Sequence, residues 1–319
     1  MPIKKIILTK PRGFCAGVDR AIEVVEECLR LFGKPVYVKH EIVHNKHVVA
    51  QLERKGAITV QRVEEIPNGA VAVFSAHGST PEQYAKAKQK NLRLIDATCP
   101  LVTKVHLEVH RFAKEGYEII YIGHKGHIEA IGVLGEMPKR IPLVETAADV
   151  AELDIGNPEK LIYLTQTTLS IDDTKQVIAA LKKKYPQMRD PPGEDICYAT
   201  TNRQAAIKEL AKHAELVLVV GSKSSSNSNR LVETARMLGK KAYLVDDVNG
   251  IDPSWLSEVS VVGITSGASA PEHLVQEIVQ HFVRQGAEQE ELEVLREQMV
   301  FKEPIEMIKI KREMESVAR

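Results

Sequence analysis

The sequence predicts an α/β protein in which three related α/β modules, each with a parallel sheet, are arranged with approximate threefold symmetry around a central cleft. Three observations predict this fold. A cysteine leads directly into a helical pattern three times, each helix leads to an apolar strand and a polar loop, and a second strand, loop and helix follow. We expect modules at residues 15–97, 98–195 and 196–283, an N-terminal strand within residues 1–14, and a C-terminal tail at residues 284–319.

Composition limits the classes of partner. Of the 319 residues, 44% are hydrophobic and 27% are charged, as in a soluble globular protein. Lys+Arg and Asp+Glu both number 43, so no global field attracts nucleic acid or anionic lipid, and we expect neither a nucleic-acid nor a membrane partner. The apolar run at residues 6–8 is too short for a signal peptide and indicates a first strand. Four widely spaced cysteines favour reduced thiols and a cytoplasmic location.

The first half of each module repeats with nearly constant spacing. Helical patterns begin directly after three of the cysteines, namely Cys15, Cys99 and Cys197. Apolar strand-like runs follow at residues 35–38, 119–122 and 216–220. The next polar loops hold His44, His127 and Ser225, which lie 29, 28 and 28 residues after the preceding cysteine. This agreement indicates an internal repeat.

The second half of each module repeats a strand, a loop of small polar residues and a helix. The strands are expected at residues 71–74, 161–164 and 259–262, and the loops at residues 75–82, 165–168 and 263–272. Strands that alternate with helices predict parallel sheets, whose ligands gather at the carboxyl ends of the strands. We therefore expect the cysteines and the polar loops to face one cleft. An ordinary doubly wound fold with scattered cysteines is the alternative.

The repeat ends near residue 281. Residues 285–298 are acidic and polar, with four glutamates between Glu288 and Glu293, and predict a linker or an exposed helix. Residues 300–310 are compatible with a returning strand or a lid. The composition leaves the role of this tail open.

Three cysteines at equivalent repeat positions can present three thiolates to one point. A helix N-terminus lowers the pKa of a cysteine, and thiolates are preferred ligands of iron–sulfur clusters and zinc. In a cubane iron–sulfur cluster, three cysteine ligands leave one iron without a protein ligand. The competing interpretation is a zinc ion bound by three thiolates and a water molecule, which would supply no electrons. Cys28 lies about 20 Å from Cys15 along the same predicted helix, so we interpret it as a packing residue.

The loops offer many hydrogen-bond donors for an anion. They are His44, His77, His127, Thr167, Thr168, Ser225, Ser226, Asn227 and Ser269. Small hydroxyl and amide side chains between a strand and a helix form an anion cradle. For any single loop, helix capping and turn formation are the favoured explanation, but six such loops on one face favour a phosphate. No GxxxxGK[ST] motif is present, so a nucleoside triphosphate is not indicated.

His127 and Glu129 are two residues apart in the loop at residues 123–129. An extended segment would place both side chains on one face, which suits a proton relay. The alternative is that Glu129 is a surface carboxylate.

Eight segments of the chain closely resemble the LytB/IspH family. They are PRGFCAGV at 11–18, HN at 44–45, SAHG at 75–78, DATCP at 96–100, GHKGHIE at 123–129, QTT at 166–168, CYATTNRQ at 197–204 and SSSNS at 224–228. The resemblance extends from about Ile6 to about His281, and the tail is only loosely similar. Members of the family are 4-hydroxy-3-methylbut-2-enyl diphosphate reductases of the methylerythritol phosphate (non-mevalonate) pathway.

The resemblance implies a trefoil of three modules around a 4Fe-4S cluster held by Cys15, Cys99 and Cys197. It implies that the substrate's diphosphate binds His44, His77, Ser225, Asn227 and Ser269, with help from Ser226 and His127. The substrate's hydroxyl group would lie on the open iron, near Thr167 and Glu129. Two electrons from a separate ferredoxin or flavodoxin, together with protons, would then expel water and give isopentenyl and dimethylallyl diphosphate.

Two other functions are compatible with three convergent cysteines. A redox or iron sensor would use the cluster for signalling, but a DNA-binding sensor needs a basic surface, which the balanced charge does not predict. A zinc hydrolase acting on a phosphate ester would work in air and without a reductant.

Overall fold

The computed structural model describes residues 3–137 and 140–317, and these form three parallel β-sheets with their helices. The strands are β1 Lys5–Lys10, β2 Val36–Lys39, β3 Ala57–Val60, β4 Val71–Phe74, β5 Arg93–Asp96, β6 Glu118–Ile122, β7 Leu143–Val144, β8 Leu161–Thr165, β9 Leu216–Val220, β10 Lys241–Val245, β11 Val261–Ser266 and β12 Glu288–Glu293. The helices are α1 Ala16–Phe32, α2 Lys46–Lys55, α3 Pro81–Gln89, α4 Pro100–Lys114, α5 Ile128–Glu136, α6 Ile171–Lys184, α7 Tyr198–His213, α8 Ser226–Met237, α9 Glu272–Val283 and α10 Ile305–Val317. The predicted α/β fold with three parallel sheets is confirmed.

The first sheet has the strand order β3-β2-β4-β5. Helix α1 covers it with a stripe of side chains three or four residues apart, comprising Val18, Ala21, Val24, Val25 and Cys28. This spacing puts one apolar face of the helix on the sheet. The sheet contributes buried Val38, Val73 and Ile95 to the same core.

The second sheet is the smallest, with the order β7-β6-β8. Helix α4 buries Val102, Val105, Val109 and Phe112 at helical spacing, and Val105, Val109 and Phe112 pack in a core with Ile119 of β6. Helix α5 begins six residues after the end of β6, so its N-terminus lies at the carboxyl end of the sheet.

The third sheet has the order β10-β9-β11-β1-β12. Its strand β9 reads LVLVV and is buried along its whole length, as expected for a parallel strand covered on both faces. The N-terminal strand β1 lies between β11 and β12, so both ends of the chain contribute to this sheet.

The prediction of a linker or an exposed helix at residues 285–298 is wrong, because Glu288–Glu293 form strand β12, which pairs in parallel with β1. An edge strand needs no apolar face, and charged side chains are common on such strands. Here the glutamates pair with basic residues of β1, as Lys5 binds Glu290 and Lys10 lies 2.6 Å from Glu291.

The end of the tail is a helix rather than the returning strand considered from the sequence. Helix α10 buries Met307 completely in the core of the first sheet. Before it, the carbonyl oxygen of Lys302 accepts a hydrogen bond from Arg20 Nε at 2.7 Å. The C-terminal segment therefore runs from the third sheet to the first. No helix in the described part of the chain combines the length and apolar character needed to cross a membrane.

Candidate active site

A central cavity of about 110 Å³ is lined by loops and helix ends from all three sheets. Every side chain that the sequence analysis assigned to metal binding, substrate binding or catalysis borders it. These are Cys15, His44, His77, Cys99, His127, Glu129, Thr167, Thr168, Cys197, Ser225, Ser226, Asn227 and Ser269. The alternative of scattered cysteines is therefore wrong. The carboxyl ends of parallel strands meet at this point, which explains why loops distant in sequence converge.

The three cysteines occupy equivalent positions, since Cys15, Cys99 and Cys197 are the N-cap residues of α1, α4 and α7. Gly17 lies between two of the thiols. A β-carbon placed on it would lie 2.7 Å from Cys99 Sγ and 3.9 Å from Cys15 Sγ. A side chain at this position would therefore fill the space between these thiols.

The expectation of lowered cysteine pKa values is wrong for the protein without a metal. Burial raises the pKa of Cys15, that of Cys99 to about 12 and that of Cys197 to about 11. Helix N–H groups oppose this effect, but less strongly, and the negative charges of Cys15 and Cys197 raise the pKa of Cys99 further. Three partly buried thiolates therefore need a cation between them. Within residues 3–137 and 140–317, no three His, Cys, Asp or Glu side chains converge as ligands of a single metal ion.

Cys28 is separate from this site. It lies on the buried face of α1 and packs in the core of the first sheet. Burial raises its pKa to about 12, which keeps the thiol neutral. The sequence-based interpretation of Cys28 as a packing residue agrees with this position.

Three histidines from the first two sheets form a cluster in the cavity wall. The rings of His44 and His77 stack with centroids 3.9 Å apart, and those of His44 and His127 meet edge to face at 5.7 Å. Burial is the main cause that lowers the pKa of His77 well below its usual value and that of His127 to about 4, and neighbouring imidazoles lower both further. These two rings are therefore neutral near neutral pH.

The third sheet supplies hydroxyl and amide groups. Ser225 is the N-cap of α8, and its Oγ accepts a hydrogen bond from Ser228 N at 3.3 Å. Ser269 Oγ donates to the carbonyl oxygen of His44 at 3.0 Å, which joins this loop to the histidine cluster. Asn227 Oδ1 accepts from Ala268 N at 3.0 Å. Capping and anion binding are thus not exclusive, because the capping serine also lines the cavity.

The geometry at Glu129 differs from the sequence-based expectation. His127 caps α5 and Glu129 lies in its first turn, so these residues are not on one face of an extended segment. Instead, His127 Nδ1 accepts a hydrogen bond from Glu129 N at 3.2 Å. The alternative of a surface carboxylate is also wrong, since Glu129 is 2% exposed.

The Glu129 carboxylate accepts two hydrogen bonds from a single residue. Thr167 N donates to Oε1 at 2.6 Å and Thr167 Oγ1 donates to Oε2 at 2.8 Å. Burial nevertheless raises the pKa of Glu129 to about 7, although these bonds lower it. Glu129 can therefore hold or release a proton near neutral pH.

Thr200 is a cavity residue that the sequence reasoning missed. Its N–H donates to Cys197 Sγ at 3.4 Å, and its Oγ1 accepts from Asn227 Nδ2 at 3.3 Å. A threonine three residues after an N-cap cysteine faces that cysteine, so the CxxT spacing at Cys197 carried the relevant signal.

The fold and the cavity define an α/β protein with three helix-capping thiols beside a pocket lined by imidazole, hydroxyl and amide groups. A family model described as LytB protein matches residues 6–283. The 4-hydroxy-3-methylbut-2-enyl diphosphate reductase of Streptomyces coelicolor is 52% identical over 96% of this chain and 91% of its own length. The enzyme of that name from Histophilus somni is 53% identical over 95% of this chain and 98% of its own.

Solved structures agree with these sequence relationships. The E-1-hydroxy-2-methyl-but-2-enyl-4-diphosphate reductase of Plasmodium falciparum is 42% identical and superimposes with a TM-score of 0.95 over 98% of this chain and 100% of that chain. The structure of an (E)-4-hydroxy-3-methyl-but-2-enyl diphosphate reductase, described as the terminal enzyme of the non-mevalonate pathway, gives a TM-score of 0.63 at 30% identity, over 89% of this chain and 100% of that one. The chain belongs to the LytB family.

Proposed function

We propose that this protein is an oxidoreductase that removes the hydroxyl group of (E)-4-hydroxy-3-methylbut-2-enyl diphosphate and produces isopentenyl and dimethylallyl diphosphate. Its relatives are named for this activity, and one is described as the terminal enzyme of the non-mevalonate pathway. The observation that carries the proposal is a single cavity with three thiols and, beside them, hydrogen-bonding groups from all three sheets. The overall reaction takes two electrons and two protons and releases one water molecule.

Cys15, Cys99 and Cys197 would hold a 4Fe-4S cluster. The donor set fits this group, because soft thiolates suit iron and these partly buried thiols, with their raised pKa values, need a cation to lose their protons. When bound, the cluster supplies electrons and a Lewis-acidic iron that lacks a protein ligand. In a cubane each thiolate binds a different iron, so the cysteines need to line one cavity without meeting at one point.

The diphosphate would bind His44, His77, Ser225, Asn227 and Ser269, with help from Ser226 and His127. No lysine or arginine is among the described residues that line the cavity. The N-termini of α5 and α8, capped by His127 and Ser225, therefore supply much of the favourable potential for an anion. Binding also favours proton uptake by the neutral imidazoles of His77 and His127.

Glu129 would hold the proton that the leaving hydroxyl group requires. Its pKa of about 7 leaves a substantial protonated fraction near neutral pH. Thr167 fixes the carboxyl group through its N–H and its hydroxyl group, and Thr168 lines the wall beside it. His127 anchors the same turn by accepting the N–H of Glu129. A buried acid held in one orientation transfers its proton in a defined direction.

Electrons would come from an external ferredoxin or flavodoxin, and we place the protein in the cytoplasm. The test is to purify the protein without oxygen, add a low-potential reductant and the substrate, and measure both products together with iron content. We expect brown protein and reductant-dependent product formation. Turnover by colourless protein without reductant would indicate a zinc hydrolase, and a cluster without turnover would indicate a sensor. Either result would contradict the proposal.

A further inference from the structure

A second group of titratable side chains lies between helices α4 and α5. His106 and His110 are one turn apart on α4, and Glu136 is the last residue of α5. Glu136 Oε1 lies 2.7 Å from His106 Nδ1, and Glu136 Oε2 lies 2.7 Å from His110 Nε2. The Glu136 carboxylate is hydrogen-bonded to His106 and lies in polar contact with His110, so it connects two imidazoles in one chain of contacts.

This chain runs from solvent toward the interior. The side chain of His110 is 58% exposed, whereas those of Glu136 and His106 are 7% and 12% exposed. If Glu136 served only to hold α4 and α5 together, its contact with His106 would be sufficient, and a second imidazole facing solvent would not be needed. The arrangement instead gives the buried His106 a connection to bulk water through Glu136 and His110.

The inner end of the chain is an imidazole nitrogen without a partner. His106 Nε2 is buried and makes no hydrogen bond to any described residue. It faces the backbone at two glycines, because a β-carbon on Gly78 would lie 2.8 Å from it and one on Gly132 would lie 3.4 Å away. Gly78 follows His77 of the cavity, and Gly132 lies one turn after Glu129. The two glycines keep the space beside Nε2 free of side chains.

Glu129 lies on the same side of α5 as Glu136. Seven residues separate them, which is about 20° short of two full turns and about 10 Å along the helix axis. His106 contacts Glu136 through Nδ1, and its Nε2 lies beside Gly132. A positive charge on His106 lowers the pKa of Glu129, although burial has the larger and opposite effect. From α3, the neighbouring titratable group is Tyr84, whose hydroxyl group donates to Asp96 Oδ2 at 2.7 Å.

We propose that His110, Glu136 and His106 form a proton path from solvent to Glu129, with one water molecule between His106 Nε2 and the Glu129 carboxyl group. The path rests on the proposed function, in which each turnover takes two protons and two electrons, the electrons coming from the external low-potential donor. The three residues act through Glu129 and do not touch the substrate.

Each group takes up one proton on its outer side and releases one on its inner side. Solvent protonates His110 Nδ1, and the Nε2 proton passes to Glu136. Glu136 passes a proton to His106 Nδ1, and the Nε2 proton of His106 passes through the water molecule to Glu129. One proton enters and one is delivered, so the net charge of the path is unchanged. Each imidazole and the Glu136 carboxyl group must then reorient before the next proton passes.

The variant Glu136→Gln tests the path with little change in shape, because glutamine fills the same space but cannot carry the proton. We expect its single-turnover rate to fall about 10²-fold, the lower end of the range for lost proton transfer. We also expect a larger solvent deuterium isotope effect, with iron content and substrate affinity unchanged. His106→Ala is expected to be slow and to regain turnover when imidazole is added.

The chain offers a matched control on α7, where the exposed His213 Nε2 lies 3.4 Å from Glu209 Oε1. Glu209→Gln and His213→Ala change a histidine–carboxylate pair outside the cavity and should behave like the wild type. If Glu136→Gln turns over at the rate of Glu209→Gln with an unchanged isotope effect, the path is overturned. If the wild type itself does not reduce the substrate, the proposed function fails instead.

His110→Ala provides a second test, because His110 is exposed and its replacement preserves the core. In dilute buffer this variant is expected to turn over more slowly, and a higher concentration of buffer acid should restore the rate. If Glu136→Gln does not fold, the result for His110→Ala decides whether the proton path exists. A rate equal to that of the wild type and independent of buffer concentration would overturn the path.

Discussion

Replacing Glu129 with glutamine is expected to stabilise the metal-free protein at pH 8 while slowing turnover of the loaded enzyme. Glu129 is almost completely buried, and its carboxylate accepts both hydrogen bonds of Thr167. Glutamine keeps these contacts, because its oxygen accepts the Thr167 N–H and its amide donates to the Thr167 hydroxyl oxygen. The substitution therefore removes the charge and the proton but little packing.

The stability effect follows from the pKa of Glu129, which burial raises from 4.5 to about 7. Because the folded pKa is the higher one, folding favours the protonated carboxyl group. The contribution of Glu129 to stability is therefore greatest below pH 4.5, falls as the pH rises to about 7, and is constant above that. At 1.36 kcal/mol for each pKa unit, charge burial costs about 3 kcal/mol above pH 7, and Glu129→Gln recovers most of this.

The assay is urea denaturation of the metal-free protein at pH 8 and pH 5, followed by single-turnover reduction with cluster-loaded protein. The gain in stability should be large at pH 8 and small at pH 5. Turnover should fall at least 100-fold, within the range of about 10²–10⁴ for a lost general acid, while substrate affinity and iron content remain unchanged. The partly exposed Glu209→Gln should show neither a gain in stability at pH 8 nor a loss of turnover. A pH-independent stability difference would refute the electrostatic reasoning, and near-normal turnover would remove Glu129 from the mechanism.

Three further predictions concern the cluster, the diphosphate and the tail. Iron content and turnover should both be lost in Cys15→Ser, Cys99→Ser and Cys197→Ser but retained in Cys28→Ala, and a fully active Cys99→Ser would contradict the ligand set. Saturating diphosphate should raise the melting temperature of the wild type. The increase should be smaller for His44→Ala, His77→Ala and Asn227→Ala, and the iron content of these variants should be normal. Glu297→Gln should destabilise the protein by about 3 kcal/mol in urea denaturation, because it leaves the buried Arg203 uncompensated, and an unchanged midpoint would contradict this.

The residues of the cavity could be predicted because each follows a strand of a parallel sheet or precedes a helix at a repeated spacing. The distances of His44, His127 and Ser225 from their cysteines reflect one structural unit used three times. The carboxyl ends of parallel strands then bring these loops together whatever their separation in sequence. Neither packing detail nor side-chain geometry was needed for that conclusion.

Properties that depend on burial could not be predicted in the same way. A helix N-terminus lowers the pKa of a thiol, but at Cys99 and Cys197 burial raises the pKa by more than the helix lowers it. Strand β12 was missed because the pattern of its glutamates has no apolar face, and its partners on β1 lie almost the whole chain length away. Local sequence cannot show that Lys5 and Lys10 provide the compensating charges.

The tail acquires a role once its path is known, because Arg203 connects it to the cysteine-bearing helices. Arg203 lies on α7, six residues after Cys197, and is completely buried. Its guanidinium group donates to the carbonyl oxygen of Gly13 at 2.7 Å, just before Cys15, and to Glu297 Oε1 of the tail at 3.0 Å. A buried guanidinium needs a carboxylate partner, and the described residues of the tail provide it. The C-terminal segment therefore stabilises the relative positions of two proposed cluster ligands, and none of its described residues lines the cavity.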